Sequence, residues 1–354
     1  MTQQTKSRLA WLDVAKAITM LLIVFGHTLR GGTASQIVYS FHVATFFILS
    51  GMTCKGDDLP TRIKNDFLRI MMPYYFFSIL SILAFSVLGQ FAANHLSLGV
   101  NTSLSYNFVG MIYGSPINGH LRFNLPLWFL PCLFVTKLLY YAINKLCREK
   151  PLLLLICSFG VAVLGCIYTR LGGPLLPFNL SVSAKMLFFF SLGRVSFQRL
   201  SSKKHCFTGF KALVSGTALL LTACIIGAIS ARVDYATDFF PSYAVFLVTA
   251  LLGSYGIIFL SIGLKGCKVL EYVGKSTLGI LVMHKFPVLL FQTIGPQTVL
   301  LERIDSIVGV IISLVVSVIA IVLCLAVTFF INRYLPFLLG DFSKMKPKLR
   351  KENL

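Results

Sequence analysis

The stretch that decides the fold is residues 13–51, which read DVAKAITMLLIVFGHTLRGGTASQIVYSFHVATFFILSG. It consists of two apolar runs joined by a short loop that contains glycine, and the runs carry Asp13, Lys16, His27 and His42. An ionisable group at membrane depth costs about 2.5–3.5 kcal/mol on insertion scales, so several of them in one hairpin require a reason. The pattern predicts a membrane hairpin with an internal active or transport site.

Helical periodicity places the polar groups of the first run on one face. Lys16 and His27 are separated by three turns plus roughly 20° of rotation, which puts them about 16 Å apart on the same face. Asp13 precedes Lys16 by about one turn and is predicted to pair with it. His42 then enters from the second run, so we expect the two helices to share one polar stripe.

The composition of the whole chain is that of a membrane protein. Of its 354 residues, 56% are hydrophobic and 12% are charged, and the mean hydropathy is +0.81. A soluble domain would carry about 25% charged residues. Because apolar runs of spanning length recur, the sequence predicts an all-α polytopic membrane protein with about ten transmembrane helices in one bundle. The predicted spans are 10–29, 34–54, 70–93, 126–145, 151–170, 182–198, 209–230, 240–263, 275–295 and 306–333. Residues 1–354 are expected to form a single integral-membrane domain, with spans over roughly 10–333 and a basic cytoplasmic tail at 334–354.

The net charge of +20 follows the predicted topology. Most of the 32 Lys and Arg residues fall in alternate loops, which the positive-inside rule assigns to the cytoplasm together with both termini. The basic charge is therefore interpreted as a topology signal and an attraction to anionic lipid, and nucleic acid is not an expected partner. The opposite side receives few cations, namely Arg30, Arg122, Arg170, Lys185, Arg232 and Arg303.

A further group of basic residues falls within or near the predicted spans, namely Lys16, Lys137, Arg194 and Lys285. For Lys137 and Lys285 we expect the amine to reach the headgroups along its flexible stem. For Lys16 the neighbouring Asp13 and His27 favour a functional role. A single histidine in a helix more often hydrogen-bonds a neighbouring helix than performs chemistry, which is the reading for His284 taken alone.

The nine cysteines are scattered singly, without a CxxC pair, and the histidines do not cluster at zinc-ligand spacing. No metal site is therefore predicted. The sequence also lacks a GxxxxGK[ST] loop and a GxGxxG motif at the start of a helix, which argues against hydrolysis-driven pumping.

Several short motifs follow one another in a fixed order: DVAKAITMLLIVFGH, FHVATFFILSG, FLRIMMPYYFF, LWFLP, FFFSLGRV and STLGILVMH. The first has a basic residue, ten residues and then a histidine. In this order and spacing, the chain resembles the integral-membrane acyltransferase-3 family, and within it the branch similar to fucose 4-O-acetylases. The residues that match the earlier motifs are Lys16, His27, His42, Ser50, Arg69, Tyr74 and Trp128.

The resemblance implies transfer of an acetyl or similar acyl group from acetyl-CoA, as a co-substrate and without a metal, to a hydroxyl of a cell-surface polysaccharide or lipid-linked sugar. It also implies a bacterial cytoplasmic (inner) membrane. Acyl transfer to a hydroxyl needs a base near the attacking O–H and a way to hold the developing oxyanion. We assign the base to His27, with His42 as its orienting partner or as an alternative base, and a relay through an acyl-histidine is left open. Asp13 is expected to set the geometry of Lys16 or to transfer a proton itself.

The phosphates of coenzyme A require a basic docking site. The loop 55–69 carries Arg62, Lys64 and Arg69, which with Lys16 are the predicted donor-binding residues. A plain topology signal is the alternative interpretation of this loop. For the saccharide acceptor, the predicted substrate-binding residues are Trp128, Ser50 and Tyr74, matched through the family motifs.

Two other classes of function remain open at this point. One is a secondary transporter or a flippase for a sugar-lipid or small solute, in which the intramembrane His, Lys and Asp form a proton relay. The other is a structural membrane protein, which leaves the polar stripe unexplained. Membrane lipid is an expected partner in every case, and a second copy of the chain is a possible partner in a homo-oligomer.

Overall fold

The computed structural model describes residues 9–29, 31–54, 58–92, 103–202, 209–294 and 306–342. Arg30, Arg303, residues 55–57 of the predicted docking loop and residues 343–354 of the predicted tail lie outside these ranges. The described residues form helices joined by short turns, with an isolated bridge between Asp234 and Phe239 in place of any strand. The prediction of an all-α polytopic membrane protein is confirmed.

The helices are α1 (Ala10–Thr28), α2 (Gly32–Tyr39), α3 (His42–Met52), α4 (Leu59–Asp66), α5 (Met72–Ala92), α6 (Leu104–Tyr113), α7 (Phe129–Leu146), α8 (Pro151–Arg170), α9 (Leu180–Ser202), α10 (Gly209–Ile229), α11 (Tyr243–Gly263), α12 (Lys268–Lys275), α13 (Thr277–Met283), α14 (Lys285–Ile294) and α15 (Ile307–Tyr334). A π-helical segment, Phe67–Met71, joins α4 to α5, and 3-10 turns occupy Ile117–Gly119, Arg122–Trp128, Pro177–Asn179 and Pro336–Leu339.

Within the described ranges, nine helical segments are long and apolar enough to cross a membrane, where ten spans were predicted. The difference is the predicted span 275–295, which is interrupted at His284 between α13 and α14. Pro287 explains the interruption, because it has no N–H for the carbonyl of Met283 and its ring crowds that carbonyl. The predicted span 34–54 is also interrupted, between α2 and α3. Both interruptions lie next to a histidine.

Helices α3 and α9 cross in direct backbone contact through two glycines. A Cβ atom on Gly51 would lie 2.0 Å from the carbonyl oxygen of Phe190, and one on Gly193 would lie 2.0 Å from that of Ile48. No larger residue fits at either position without separating the helices. Small residues at such a crossing let membrane helices pack closely, so α3 and α9 form a fixed pair.

Lys137 forms an ion pair with Asp66, and the hydroxyl of Tyr141 donates a hydrogen bond to the same carboxylate. The predicted extension of Lys137 to the headgroups is therefore replaced by a pair inside the bundle. This pair joins α7 to the end of α4 and leaves both side chains mostly buried.

Candidate active site

A cavity of about 220 Å³ lies where the interrupted helices meet. Its wall combines α1, α2, α3, the start of α7, the loop between α10 and α11, and α13. We call it the histidine cavity; its polar and aromatic wall residues are His27, Tyr39, His42, Trp128, Phe129, Arg232, Asp234 and Tyr235.

His42 is held in one orientation by the backbone at the start of α3. Its Nδ1 atom lies 2.6 Å from the carbonyl oxygen of Val38. A carbonyl can only accept, so Nδ1 carries the proton, and in the neutral ring the lone pair is on Nε2. The ring centroid is 4.8 Å from that of Tyr39 and 5.9 Å from that of Tyr235, both edge to face. This arrangement presents Nε2 as an oriented proton acceptor.

His27 lies in the last turn of α1 and is partly exposed to the cavity. Its ring centroid is 6.5 Å from that of Tyr39, and the side-chain amide of Gln292 donates to its backbone carbonyl at 3.2 Å. The ring of Tyr39 is thus the contact that His27 and His42 share. The structure brings the two predicted histidines into one cavity, with a phenol ring as their common neighbour.

His284, at the interruption between α13 and α14, is completely buried. Its Nδ1 lies 3.0 Å from the carbonyl oxygen of Ile280, which belongs to the same helical run and not to a neighbouring helix as expected. Its Nε2 has no hydrogen-bond partner among the described residues. The ring centroid is 5.2 Å from that of His27. His284 is therefore a third imidazole, next to the predicted base His27, and the lone pair on its Nε2 accepts no hydrogen bond from the described residues.

The loop between α10 and α11 adds further polar side chains to the wall, among them Arg232 and Tyr235. The guanidinium carbon of Arg232 lies 4.1 Å from the centroid of the Tyr39 ring. Tyr235 is 1% exposed, and its hydroxyl has no hydrogen-bond partner within the part of the chain that the structure describes. Burial raises the pKa of Tyr235 well above its ordinary value, so its phenol stays protonated at neutral pH and can donate.

Trp128 lines the histidine cavity at the end of the 3-10 turn Arg122–Trp128. Within that turn, the amide of Asn124 donates to Ser81 Oγ at 3.2 Å and to the carbonyl of Val282 at 3.0 Å. These bonds attach the turn to α5 and α13. Trp128 is therefore held beside the histidines by buried polar contacts.

The other two predicted substrate-binding residues do not line the histidine cavity. The hydroxyl of Tyr74 is buried and donates to the carbonyl of Met111 at 2.6 Å. Ser50 lies toward the far end of α3, about 12 Å along the helix axis from His42. Their role in binding substrate stays a prediction, and the contacts seen for Tyr74 are those of packing.

Asp13 and Lys16 lie at the opposite end of α1 from His27, about 21 Å and 16 Å along the axis respectively. Asp13 is buried, and Gly274 of α12 packs directly against its backbone, where a Cβ would lie 1.9 Å from the carbonyl oxygen. Proton transfer between Asp13 and His27 is therefore not possible at this separation.

A second cavity, of about 190 Å³, lies among the ends of α4, α7, α8 and α9. We call it the arginine cavity; its polar wall residues are Arg62, Tyr140, Asn144, Glu149, Arg194 and Gln198. Two guanidinium groups meet here, with Glu149 as their acidic neighbour. Two predicted donor-binding residues, Lys64 and Arg69, are exposed outside this cavity.

Contacts with neighbouring helices orient both arginines. Arg194 donates to the carbonyl of Cys54 at 2.9 Å, and the guanidinium carbon of Arg62 lies 4.8 Å from the ring centroid of Tyr141. Planar guanidinium groups held in this way suit phosphate recognition.

The length of helix α7 gives the distance between the two cavities. Phe129, at its start, lines the histidine cavity, and Asn144, near its end, lines the arginine cavity. At the helical rise this is about 22 Å. A molecule that occupied both cavities would have to span this distance, with an anionic end in the arginine cavity.

Among the described residues, no group of three or more His, Cys, Asp or Glu side chains is placed to hold a metal ion.

The fold and the two cavities define a class, a polytopic helical membrane protein with buried imidazoles at one end of the bundle and a basic cavity at the other. The acyltransferase domain family matches residues 9–331, and the chain belongs to this family, acyltransferase-3. No curated protein and no solved structure gives a significant match to the chain. The protein is therefore a membrane acyltransferase.

Sequence reasoning did not identify Tyr39, Arg194, Arg232 or Tyr235 as cavity residues. One signal was available for Arg232, which is a cation on the side that the positive-inside rule leaves poor in charge. Tyr39 and Tyr235 carry no such signal, because aromatic residues are common throughout the spans.

Proposed function

We propose that this acyltransferase moves an acetyl or similar short acyl group from acetyl-CoA to a hydroxyl of a cell-surface polysaccharide or lipid-linked sugar. The observation that carries the proposal is the placement of two imidazoles, His27 and His42, with Trp128 in one buried cavity about 22 Å from a pair of arginines. The motif order favours the fucose 4-O-acetylase-like branch. The charge distribution favours a bacterial inner membrane protein with both termini in the cytoplasm.

The donor is assigned to the arginine cavity by its charge and size. Coenzyme A carries phosphates at one end of a long arm and the thioester at the other, which matches the separation of the two cavities. The arginine cavity is smaller than the roughly 300–1,000 Å³ of drug-sized sites, so it takes phosphate groups and not a whole nucleotide. Arg62 and Arg194 bind these groups, and Lys16, Lys64 and Arg69 remain donor-binding proposals that add attraction at longer range.

The chemical step needs a proton acceptor for the sugar hydroxyl and hydrogen-bond donors for the oxyanion. A histidine removes the proton from the sugar hydroxyl as its oxygen forms a bond to the thioester carbonyl carbon. The C–S bond then breaks, and the imidazolium returns the proton to the departing thiolate. His27 is the proposed base and His42 the alternative, since its Nε2 lone pair is already oriented. Arg232 and Tyr235 are placed to donate to the oxyanion.

The experiment that tests the proposal is mass spectrometry of surface glycans from cells with and without this chain, because it reports the acyl mass and its linkage together. We expect an acyl-bearing sugar that is absent from cells expressing His27→Ala at the same level. Purified protein with radiolabelled acetyl-CoA and that glycan should form the same product. Glycans identical in all three cell lines would overturn the proposal, and solute movement without an acylated product would favour the transporter alternative.

A further inference from the structure

The connection between α10 and α11, which we call the 230–242 loop, is a closed turn. Asp234 and Phe239 exchange backbone hydrogen bonds of 2.9 and 2.8 Å. The Asp234 side chain also accepts from the backbone N–H of Ala236 at 3.0 Å. These hydrogen bonds hold the residues of the loop in fixed positions relative to one another. A contact that anchors one of these residues to the bundle therefore positions the others as well.

The 230–242 loop presents its side chains to the histidine cavity. Arg232, Asp234 and Tyr235 all line the cavity wall. Arg232 covers the ring of Tyr39, and Tyr235 contacts the ring of His42. The loop therefore supplies the polar groups that face the two predicted catalytic histidines.

The loop is attached to the bundle by a buried ion pair. Lys185 of α9 is 1% exposed, and its Nζ donates to Asp238 Oδ1 at 2.6 Å and to Thr169 Oγ1 at 2.8 Å. Thr169 in turn donates to Asp238 Oδ2 at 2.8 Å. The hydroxyl of Tyr243 donates to the backbone carbonyl of Lys185 at 2.9 Å. Both oxygens of one loop carboxylate are thus bonded to side chains of α8 and α9.

A buried ion pair is a poor source of stability, because desolvation offsets most of the attraction between the charges. The pair does fix how the loop is oriented relative to α9, because Lys185 and Asp238 can form it in only one geometry. Two of the cations on the side poor in basic residues, Lys185 and Arg232, therefore share one structural unit. Lys185 holds the loop, and the loop carries Arg232.

We propose that the 230–242 loop is the acceptor-recognition element of the histidine cavity and that Lys185 is the positioning residue that fixes it through Asp238. This inference rests on the proposed acyl transfer to a sugar. The rings of Tyr39, Trp128 and Tyr235 line the cavity with aromatic surface, and the loop provides a guanidinium and a carboxylate for hydroxyl groups.

Trp128 provides a reporter that does not depend on catalysis. The chain has two tryptophans, Trp11 and Trp128, so Trp11→Phe leaves one indole inside the histidine cavity. In this background we expect Lys185→Met to raise acrylamide quenching of Trp128 at least about twofold in the full-length protein in detergent, because the loop opens locally. The matched control is Lys137→Met, which breaks the mostly buried pair with Asp66 and is expected to leave Trp128 shielded.

The double variant Lys185→Met/Asp238→Leu removes both charges together, so it leaves no unpaired carboxylate to prevent folding. We expect it to elute as a monodisperse species and to show the same increase in quenching. A folded double variant whose Trp128 is as shielded as in the parent would overturn the role of Lys185.

Acceptor recognition is tested with methyl glycosides of L-fucose, D-galactose and D-glucose as probes that protect Trp128 from acrylamide. We expect at least one to protect, and Arg232→Gln to weaken that protection about tenfold through loss of a charged donor. Combining Lys185→Met with Arg232→Gln should weaken it no further than Lys185→Met alone. Equal protection in Arg232→Gln, additive losses, or no protection by any probe would overturn the inference. The glycan mass spectra decide the proposed acyl transfer separately.

Discussion

The histidine cavity and the arginine cavity are built from different kinds of backbone. The histidine cavity lies at the interruption between α2 and α3 and the one between α13 and α14, beside a 3-10 turn and the 230–242 loop. The arginine cavity lies among the ends of helices and uses long basic side chains. The comparison indicates that irregular backbone brings His27, Tyr39 and His42 into one wall, whereas the arginine cavity forms where helix ends converge.

The difference also separates two kinds of function. The imidazoles of the histidine cavity, such as His42 with its oriented Nε2, can exchange protons, and Arg232 and Asp234 place one charge of each sign beside them. Groups in the arginine cavity, such as Arg62 and Arg194, carry fixed charge and are poor proton acceptors. If the histidine cavity performs the chemistry and the arginine cavity binds the donor, variants in the histidine cavity should leave donor binding unchanged. Variants in the arginine cavity should in turn leave kcat nearly unchanged.

The largest effect is expected in the histidine cavity. His27→Ala should lower the turnover of acyl transfer by about 10²–10⁴, the usual contribution of a general base, with the protein still inserted in the membrane. The arginine cavity is about 22 Å away, so calorimetry should show unchanged binding of coenzyme A.

His42→Asn serves as the companion variant, because its amide can still donate to the Val38 carbonyl while the base is lost. Loss of turnover in this variant, with normal turnover in His27→Ala, would identify His42 and not His27 as the general base. Full turnover in both variants would remove the histidine cavity from the chemistry.

An intermediate effect, on both cavities at once, is expected at the crossing of α3 and α9. Gly193→Ala places a Cβ 2.0 Å from the carbonyl oxygen of Ile48, and overpacking of this kind costs about 1–3 kcal/mol. The midpoint of thermal unfolding in detergent should fall. Gly160→Ala is the control, because nothing lies within 4 Å of its added methyl group. Equal midpoints for the two variants would contradict the close contact.

The smallest effect is expected in the arginine cavity. Arg62→Gln should raise the KM for acetyl-CoA about tenfold with little change in kcat, because a binding interaction common to ground and transition states is lost. Arg194→Gln should act in the same direction. Lys145→Gln, an exposed residue of α7 outside the cavity, is the control and should leave KM unchanged. Donor kinetics in Arg62→Gln that match the control would exclude this cavity as the phosphate site.

Most of the helices were predictable from hydropathy, because a spanning helix must be apolar along its whole length. The predicted span 151–170 coincides with α8, and 209–230 differs from α10 by one residue. The unbroken span 275–295 was wrong, because a hydropathy average does not register the hydrogen bond that Pro287 removes. Pro287 was visible in the sequence, and it marks the interruption at which His284 contacts the ring of His27.

The site was predictable where its residues share one hairpin. His27 and His42 meet because the two runs of residues 13–51 pack against each other, as α1 and α3 do. Arg232 reaches Tyr39, and Lys185 reaches Asp238, from distant parts of the chain. No periodicity links such pairs, since their contact depends on how separate helices pack. For this reason their charges were interpreted only as topology.

The glycine contact between α3 and α9 has a mechanical consequence. Helix α3 begins with His42, and just beyond its end the carbonyl of Cys54 accepts a hydrogen bond from Arg194 of α9. Two helices in backbone contact cannot slide past each other, so the distance between the histidine cavity and the arginine cavity is fixed. Under the proposed function, a change in acceptor or acyl preference would then come from side chains around the histidine cavity, while the distance to the proposed phosphate site stays constant.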